Sequence, residues 1–167
     1  MFGKFYRSNN IVAGILTIIR VYWGYLFLTA GWQKITGGFD ANGYLANAVA
    51  KPVVSNGEPV FGWYVSFLES FALPNVELFN VVVPWGEFLV GLGLILGCLT
   101  TAAAFFGMVM NFAFLLAGTI SHNPTDIIMG ILIVSAGYNA GKFGLDRWVL
   151  PYCRTKVFKI KSDELSA

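Results

Sequence analysis

The sequence predicts an all-α integral membrane protein: a four-helix bundle with both termini cytoplasmic and a long external loop after the first helix. Three observations predict it. Of 167 residues, 56% are hydrophobic and 12% charged, where a soluble domain carries roughly a quarter charged. Mean hydropathy is +0.66. Four apolar segments approach the length of about 20 residues that one crossing needs. Lysine and arginine also crowd the two ends of the chain, while the longest loop is mostly acidic.

The spans fall near 11–35, 79–98, 101–120 and 125–144, which makes 1–150 one transmembrane domain and 151–167 a basic cytoplasmic tail. No small-residue cleavage site follows a short apolar run, so the first segment reads as a retained helix. Lys4 and Arg7 precede it, and Lys142, Arg147, Arg154, Lys156, Lys159 and Lys161 end or follow the fourth. The loop between the first two spans carries Asp40, Glu58, Glu69 and Glu77 against Lys51 alone. The positive-inside rule then puts that loop outside. Within it, 61–73 is rich in aromatics, too short to cross, and closed by Pro74. It reads as an interfacial helix, serving as a packing cover or as a lid and docking surface.

Each span carries small or polar residues at helical spacing: Arg20, Gly24, Phe27, Gly31 and Lys34 in the first, Gly86, Gly93 and Gly97 with Glu87 and Gly91 beside them in the second. Gly107, Asn111, Phe114 and Gly118 follow in the third, and Asp126, Gly130, Gly137, Gly141 and Gly144 in the fourth. Steps of three, four and seven hold one helix face, and small residues let membrane helices approach closely.

Arg20, Glu87 and Asn111 interrupt the spans at depths of roughly 13, 16 and 15 Å, counted at about 1.5 Å per residue from the inner ends. An Arg20–Glu87 ion pair with Asn111 as a hydrogen-bonding neighbour satisfies all three, and Trp23, Trp85, Ser135 and Tyr138 can line the same space. Two readings stay open: a buried pair that fixes helix register, or a polar pocket for a ligand head group with an apolar tail. A quinone fits the second, with Glu87 as a proton donor. At the outer rim, Gln33, Lys34, His122 and Asp126 form a second set. Lys34 and His122 can attract an anion or relay protons there, or His122 is simply solvated. Asn123, Pro124 and Asp126 have the ordinary reading of a helix cap, first-turn proline and dipole partner.

Several chemistries are excluded or unsupported. Cys98 and Cys153 form no CxxC pair, which argues against a dithiol centre and a disulfide framework. His122 is the only histidine, so this chain alone builds neither a bis-histidine haem site nor a histidine metal cluster. No nucleotide or nucleic-acid motif is present.

The first-helix pattern Arg20-x3-Gly24-x2-Phe27-x3-Gly31-x2-Lys34 resembles that of the DoxX/DoxD family of small four-helix membrane proteins. So do Glu87 with Gly91, Gly93 and Gly97, then Thr100 and Thr101, and the closing Ala140-Gly141-Lys142-Phe143-Gly144-Leu145-Asp146-Arg147, which is similar to the DoxD-type members. The resemblance implies a multi-pass protein of a prokaryotic inner membrane. The DoxD-type namesake is the large subunit of a thiosulfate:quinone oxidoreductase. Carried over by position, Arg20, Glu87 and Asn111 become the intramembrane catalytic site, with Lys34 and His122 the outer approach for a dianion. The implied activity is quinone-dependent oxidation of thiosulfate or a similar sulfur anion. The alternative is a non-catalytic subunit or assembly factor of a larger respiratory or redox complex. Expected partners are the bilayer, a membrane or periplasmic subunit, or a second copy.

Overall fold

The computed structural model describes residues 2–153 and 155. Most of the basic tail, including Lys156, Lys159 and Lys161, lies outside the described residues. A short helix α1 (Phe2–Ser8) leads into the 28-residue α2 (Asn10–Gly37). Asn9 caps α2 by accepting from the Ile11 N–H at 2.7 Å and the Val12 N–H at 3.3 Å. Gly38, at φ 74°, ends it by donating back to the Lys34 carbonyl. That left-handed residue is the usual glycine stop, since only glycine takes the conformation without a Cβ penalty.

The loop after α2 is a folded cap. It comprises α3 (Asn42–Ala50), a hairpin of β1 (Val54–Ser55) and β2 (Glu58–Pro59), and α4 (Gly62–Phe67), which continues as a wider π-type turn, Leu68–Ala72. The hairpin turns on Asn56 and Gly57, both at positive φ. A helix is therefore present within 61–73, and it does not lie alone. Ala41, Leu45, Ala48, Leu68 and Ala72 form a hydrophobic cluster packed by Phe39, Tyr44, Tyr64, Val76 and Phe79. A second cluster around Leu16, Trp23, Phe27, Val90, Leu94 and Ile133 forms the core of the helical body.

That body is built from α2, α5 (Val76–Leu96), α6 (Thr100–Leu116) and α7 (Asn123–Ala136), followed by the short α8 (Tyr138–Gly141) and α9 (Asp146–Tyr152). Helix α2 packs on α5, α5 on α6, α6 on α7, and α7 back on α2. Among the described residues, α2 and α5 are long and apolar enough to cross a membrane, and α6 and α7 are shorter apolar helices. The fourth expected segment, 125–144, is not one continuous helix. It breaks at Gly137, whose φ 58° and ψ −130° only glycine adopts readily.

Close approach fixes how α2 and α5 meet. A Cβ on Gly31 would fall 2.5 Å from the Phe88 nitrogen and 2.8 Å from the Pro84 carbonyl oxygen. One on Gly24 would fall 2.9 Å from the Leu94 Cβ. As the α2 number rises the α5 number falls, so the two helices are antiparallel, backbone against backbone. Outward, the helices present large apolar side chains: Ile11 is 74% and Ile18 72% exposed, joined by Val81, Leu89, Phe106, Val109, Ile128 and Ile131. So many large apolar side chains exposed along the bundle helices fit a lipid environment.

Candidate functional site

A cavity of about 380 Å³ opens where the cap meets the helical body. Its walls are mostly apolar, from Leu26 and Phe27 on α2, Phe67 and Leu68 in the cap, and Phe79 and Val83 on α5. Its polar groups converge from several elements: Lys34, Glu87, Asn111, His122 and Asn123. Lys34 Nζ donates to Glu87 Oε2 at 2.6 Å, with the Glu87 side chain 5% and the Lys34 side chain 28% exposed. The ammonium also lies 5.9 Å from the centroid of Phe39.

Glu87 therefore pairs with Lys34, and the expected Arg20–Glu87 pair does not form. Arg20 is buried, but its guanidinium donates to the main-chain carbonyls of Leu94, of Ile95 at 2.9 Å and of Phe143 at 3.4 Å. The reason is geometric. Helical side chains tilt toward their own N-terminus. In an antiparallel pair, Arg20 on α2 and Glu87 on α5 therefore lean away from one another. Lys34, further along α2, leans back toward Glu87. Register separates them further: Gly31 faces Phe88 and Pro84, Gly24 faces Leu94, and the Arg20 guanidinium lies beside Gly97, so Arg20 and Glu87 stand about ten residues, roughly 15 Å, apart along α5.

At the Arg20 end the charges serve the main chain. Asp146 accepts from the Leu99 N–H at 2.6 Å through Oδ1 and from the Thr100 N–H at 3.0 Å through Oδ2. It thereby caps the start of α6, while Arg20 caps the end of α5. Gly97 and Gly144 allow this loop crossing: a Cβ on Gly97 would sit 2.8 Å from the Gly144 Cα. Neither Arg20 nor Asp146 lines the large cavity.

Asn111 is 1% exposed, lines the cavity, and its Nδ2 has no hydrogen-bond partner among the described residues. At the mouth, His122 Nδ1 stands 2.8 Å from Asp126 Oδ2. The histidine side chain is 62% exposed and the aspartate 1%. Asp126 therefore does more than complement the helix dipole. Asn123 is not the helix cap: its Nδ2 donates to the Thr119 carbonyl at 2.8 Å, and His122 occupies the cap position. From the cap side, the Tyr44 hydroxyl and Thr119 Oγ1 share a hydrogen bond at 3.1 Å, and the Tyr64 hydroxyl donates to the Ala113 carbonyl at 3.0 Å. Burial, with Tyr44 close by, pushes the Tyr64 phenol up to about 12. Burial raises Tyr44 as well, opposed by its bond to Thr119.

The structure thus brings together Glu87, Asn111, Lys34 and His122 and leaves Arg20 apart. The expected lining by Trp23, Trp85 and Tyr138 is also corrected. Trp23 is wholly buried in the core against Phe27, and Trp85 and Tyr138 are 49% and 45% exposed on the outside. The lining that sequence reading missed comes from the cap, chiefly Tyr44, Tyr64 and Phe67. Its signal was the aromatic density of 61–73, without any indication of the surface it would face. Among the described residues no cluster of three His, Cys, Asp or Glu side chains stands ready for a metal ion.

The sequence model of the DoxX family matches residues 15–119. No curated protein and no solved structure matches the chain. The matched region runs from the first turns of α2 to the residue that bonds Tyr44. It therefore includes α5, α6, the cap and, among the cavity's polar groups, Lys34, Glu87 and Asn111. The apolar exterior makes this a membrane protein, and the match over most of its length makes the chain a member of the DoxX family.

Proposed function

We propose that this is a four-span protein of a prokaryotic inner membrane, both termini cytoplasmic, whose cavity binds the head group of a quinone near the outer face. The observation that carries the reading is Asn111: a nearly inaccessible amide with an unpartnered Nδ2, beside the Lys34–Glu87 pair, in an otherwise apolar cavity. Arg20 Nε, Trp23 Nε1 and Thr100 Oγ1 are likewise buried without a partner among the described residues, but Asn111 is the one of these that lines this cavity, and an unmade buried hydrogen bond costs about 1–3 kcal/mol. A ligand carbonyl oxygen would take that donor. The volume falls within the roughly 300–1,000 Å³ usual for small-molecule sites. The apolar walls suit a ring and the start of a tail.

A bound quinone supplies two-electron, two-proton chemistry. In this chain Asn111 orients the ring by donating to one oxygen. Glu87 holds or yields a proton while Lys34 balances its charge. The cap keeps bulk water from the ring. The orientation follows from Lys4, Arg7 and Lys142 at the end opposite the cap. The sulfur-anion half of a DoxD-type activity has weaker support. Lys34 is engaged by Glu87 and His122 by Asp126, so neither is a spare cation for a dianion. An electron donor from a partner subunit fits better.

The test is saturable binding of a short-tailed ubiquinone to the purified protein in nanodiscs, followed by calorimetry. Asn111→Leu and Glu87→Gln each weaken binding about tenfold or more, the loss of one well-placed polar contact. Arg20→Lys leaves it unchanged wherever the protein still melts cooperatively. No saturable binding, or equal binding by both cavity variants, rejects the reading.

A further inference from the structure

The cavity's mouth carries a pair whose arrangement the quinone reading does not yet use. His122 Nδ1 meets Asp126 Oδ2 at 2.8 Å, and the carboxylate is 1% exposed. An ionised carboxylate only accepts hydrogen bonds, so Nδ1 carries the hydrogen and Nε2 is left with a free lone pair. The ring is 62% exposed and also lines the cavity. It can therefore exchange protons with both solvent and a bound ligand. The second carboxylate oxygen, Asp126 Oδ1, is buried with no hydrogen-bond partner among the described residues, so apart from His122 its charge is met by the positive end of α7.

Charge bookkeeping shows what this pair does for a ligand. The titratable groups that share the cavity with His122 are Lys34 on α2, Glu87 on α5, and Tyr44 and Tyr64 in the cap; Asp126 contacts it from α7. Lys34 and Glu87 cancel. With a neutral imidazole, Asp126 leaves a negative charge at the mouth that the α7 dipole offsets only in part, and a ligand oxyanion would add a second in a poorly solvated space. A proton on Nε2 removes that repulsion. Glu87 is less suited to take it, because its carboxylate is already held by Lys34 and is only 5% exposed.

We infer that His122, positioned by Asp126, takes up the hydroxyl proton of a ligand at the mouth of this cavity, a role separate from that of Glu87, and that the site takes ring ligands with an acidic hydroxyl, of the hydroxyquinone or phenol class. A neutral ligand of this kind gives up its hydroxyl proton: the O–H bond breaks, its electron pair stays on the ligand oxygen, and the N–H bond forms at Nε2. A ligand already ionised in water instead draws that proton from solvent as it binds. The inference rests on the quinone reading and adds a proton role that the reading does not require.

The experiment is calorimetry at pH 8, above the usual imidazole range, in two buffers of different ionisation heat. The probes are a 3-alkyl-2-hydroxy-1,4-naphthoquinone, anionic at that pH, and its neutral methyl ether. The protein takes up close to one proton, roughly full linkage, per hydroxyquinone bound and none with the ether. In His122→Gln the uptake disappears and hydroxyquinone binds about tenfold more weakly, while affinity for the ether shifts less than about twofold. The side chain is largely exposed, so this variant folds, and an unchanged melting curve verifies it. Asp126→Asn lowers the uptake. Proton uptake that persists in His122→Gln overturns the inference while leaving the quinone reading standing. Failure of the unmodified protein to bind either probe overturns both.

Discussion

The pairing of Glu87 with Lys34 instead of Arg20 is open to a direct energetic test. At 2.6 Å, two unit charges attract by about 6 kcal/mol at an effective dielectric near 20. Desolvation of Glu87 takes back several kcal/mol, and Lys34 keeps part of its hydration because its side chain is 28% exposed. Removing one partner of a buried pair costs about 3–5 kcal/mol, and partial exposure of Lys34 brings this to about 2–3. The expected coupling in a Lys34→Met, Glu87→Gln double-mutant cycle is therefore about 2 kcal/mol. For Arg20→Met with Glu87→Gln it is within about 0.5 kcal/mol of zero, since the two groups share no partner. The assay is reversible denaturation in mixed micelles, with melting as a check: each kcal/mol moves Tm by about 2–4 °C at this chain length. A larger coupling for 20–87 than for 34–87 refutes the arrangement and restores the pair expected from depth alone.

Further outcomes follow from other contacts. Asp146→Ala strips two amide partners from the start of α6 and destabilises by about 2–4 kcal/mol, while Asp146→Asn, which keeps one acceptor, loses about half of that; both are read by denaturation. Gly31→Val drives a side chain into the α5 backbone and abolishes the cooperative melt. Gly14→Ala, where a Cβ would meet nothing within 4 Å, raises stability by about 0.5–1 kcal/mol through helix propensity alone. Because the folded protein holds the Tyr64 proton more tightly than the unfolded chain, its contribution is full below pH 10 and is lost as pH rises toward about 12. Melting curves between pH 8 and 12 show a steeper loss in the unmodified protein than in Tyr64→Phe.

The helices were legible because apolar length and glycine spacing are local properties. The first span, expected over 11–35, is found as Asn10–Gly37, and the short helix expected over 61–73 as Gly62–Phe67 with its continuation to Ala72. Two kinds of error entered. The fourth segment reads as continuous because Gly137 is an ordinary glycine in a membrane helix until its ψ is known. The Arg20–Glu87 pair is absent because depths counted from Ile11 and Cys98 assume that those two residues stand level, whereas α2 runs on past the end of α5 and sets Arg20 beside Gly97. Glu87, Lys34 and His122 were recognisable as polar residues in apolar surroundings. Their partners were not, and neither was the cap's contribution of Tyr44 and Tyr64. Such contacts depend on how a loop of more than 35 residues folds back, and no short-range pattern encodes that.

The two ends of the helical body now separate into architecture and site by what their polar groups do. At the Arg20 end, both oxygens of Asp146 and two guanidinium nitrogens meet main-chain groups of the α5 end, the α6 start and Phe143, while Arg20 Nε and Thr100 Oγ1 are buried without a partner among the described residues. The main-chain groups met there are ones that every apolar environment requires to be satisfied. At the cap end, the charged pairs are side chain to side chain, an amide donor and a carboxylate oxygen are left over, and a cavity adjoins them. Unpartnered buried atoms occur at both ends; what sets the cap end apart is that Asn111, Lys34, Glu87 and His122 converge on one cavity roofed by the aromatic residues of the cap. Arg20, the most conspicuous residue of the sequence, holds the ends of the scaffold, and Asn111, the least conspicuous of the three, lines the cavity on which the proposed function rests.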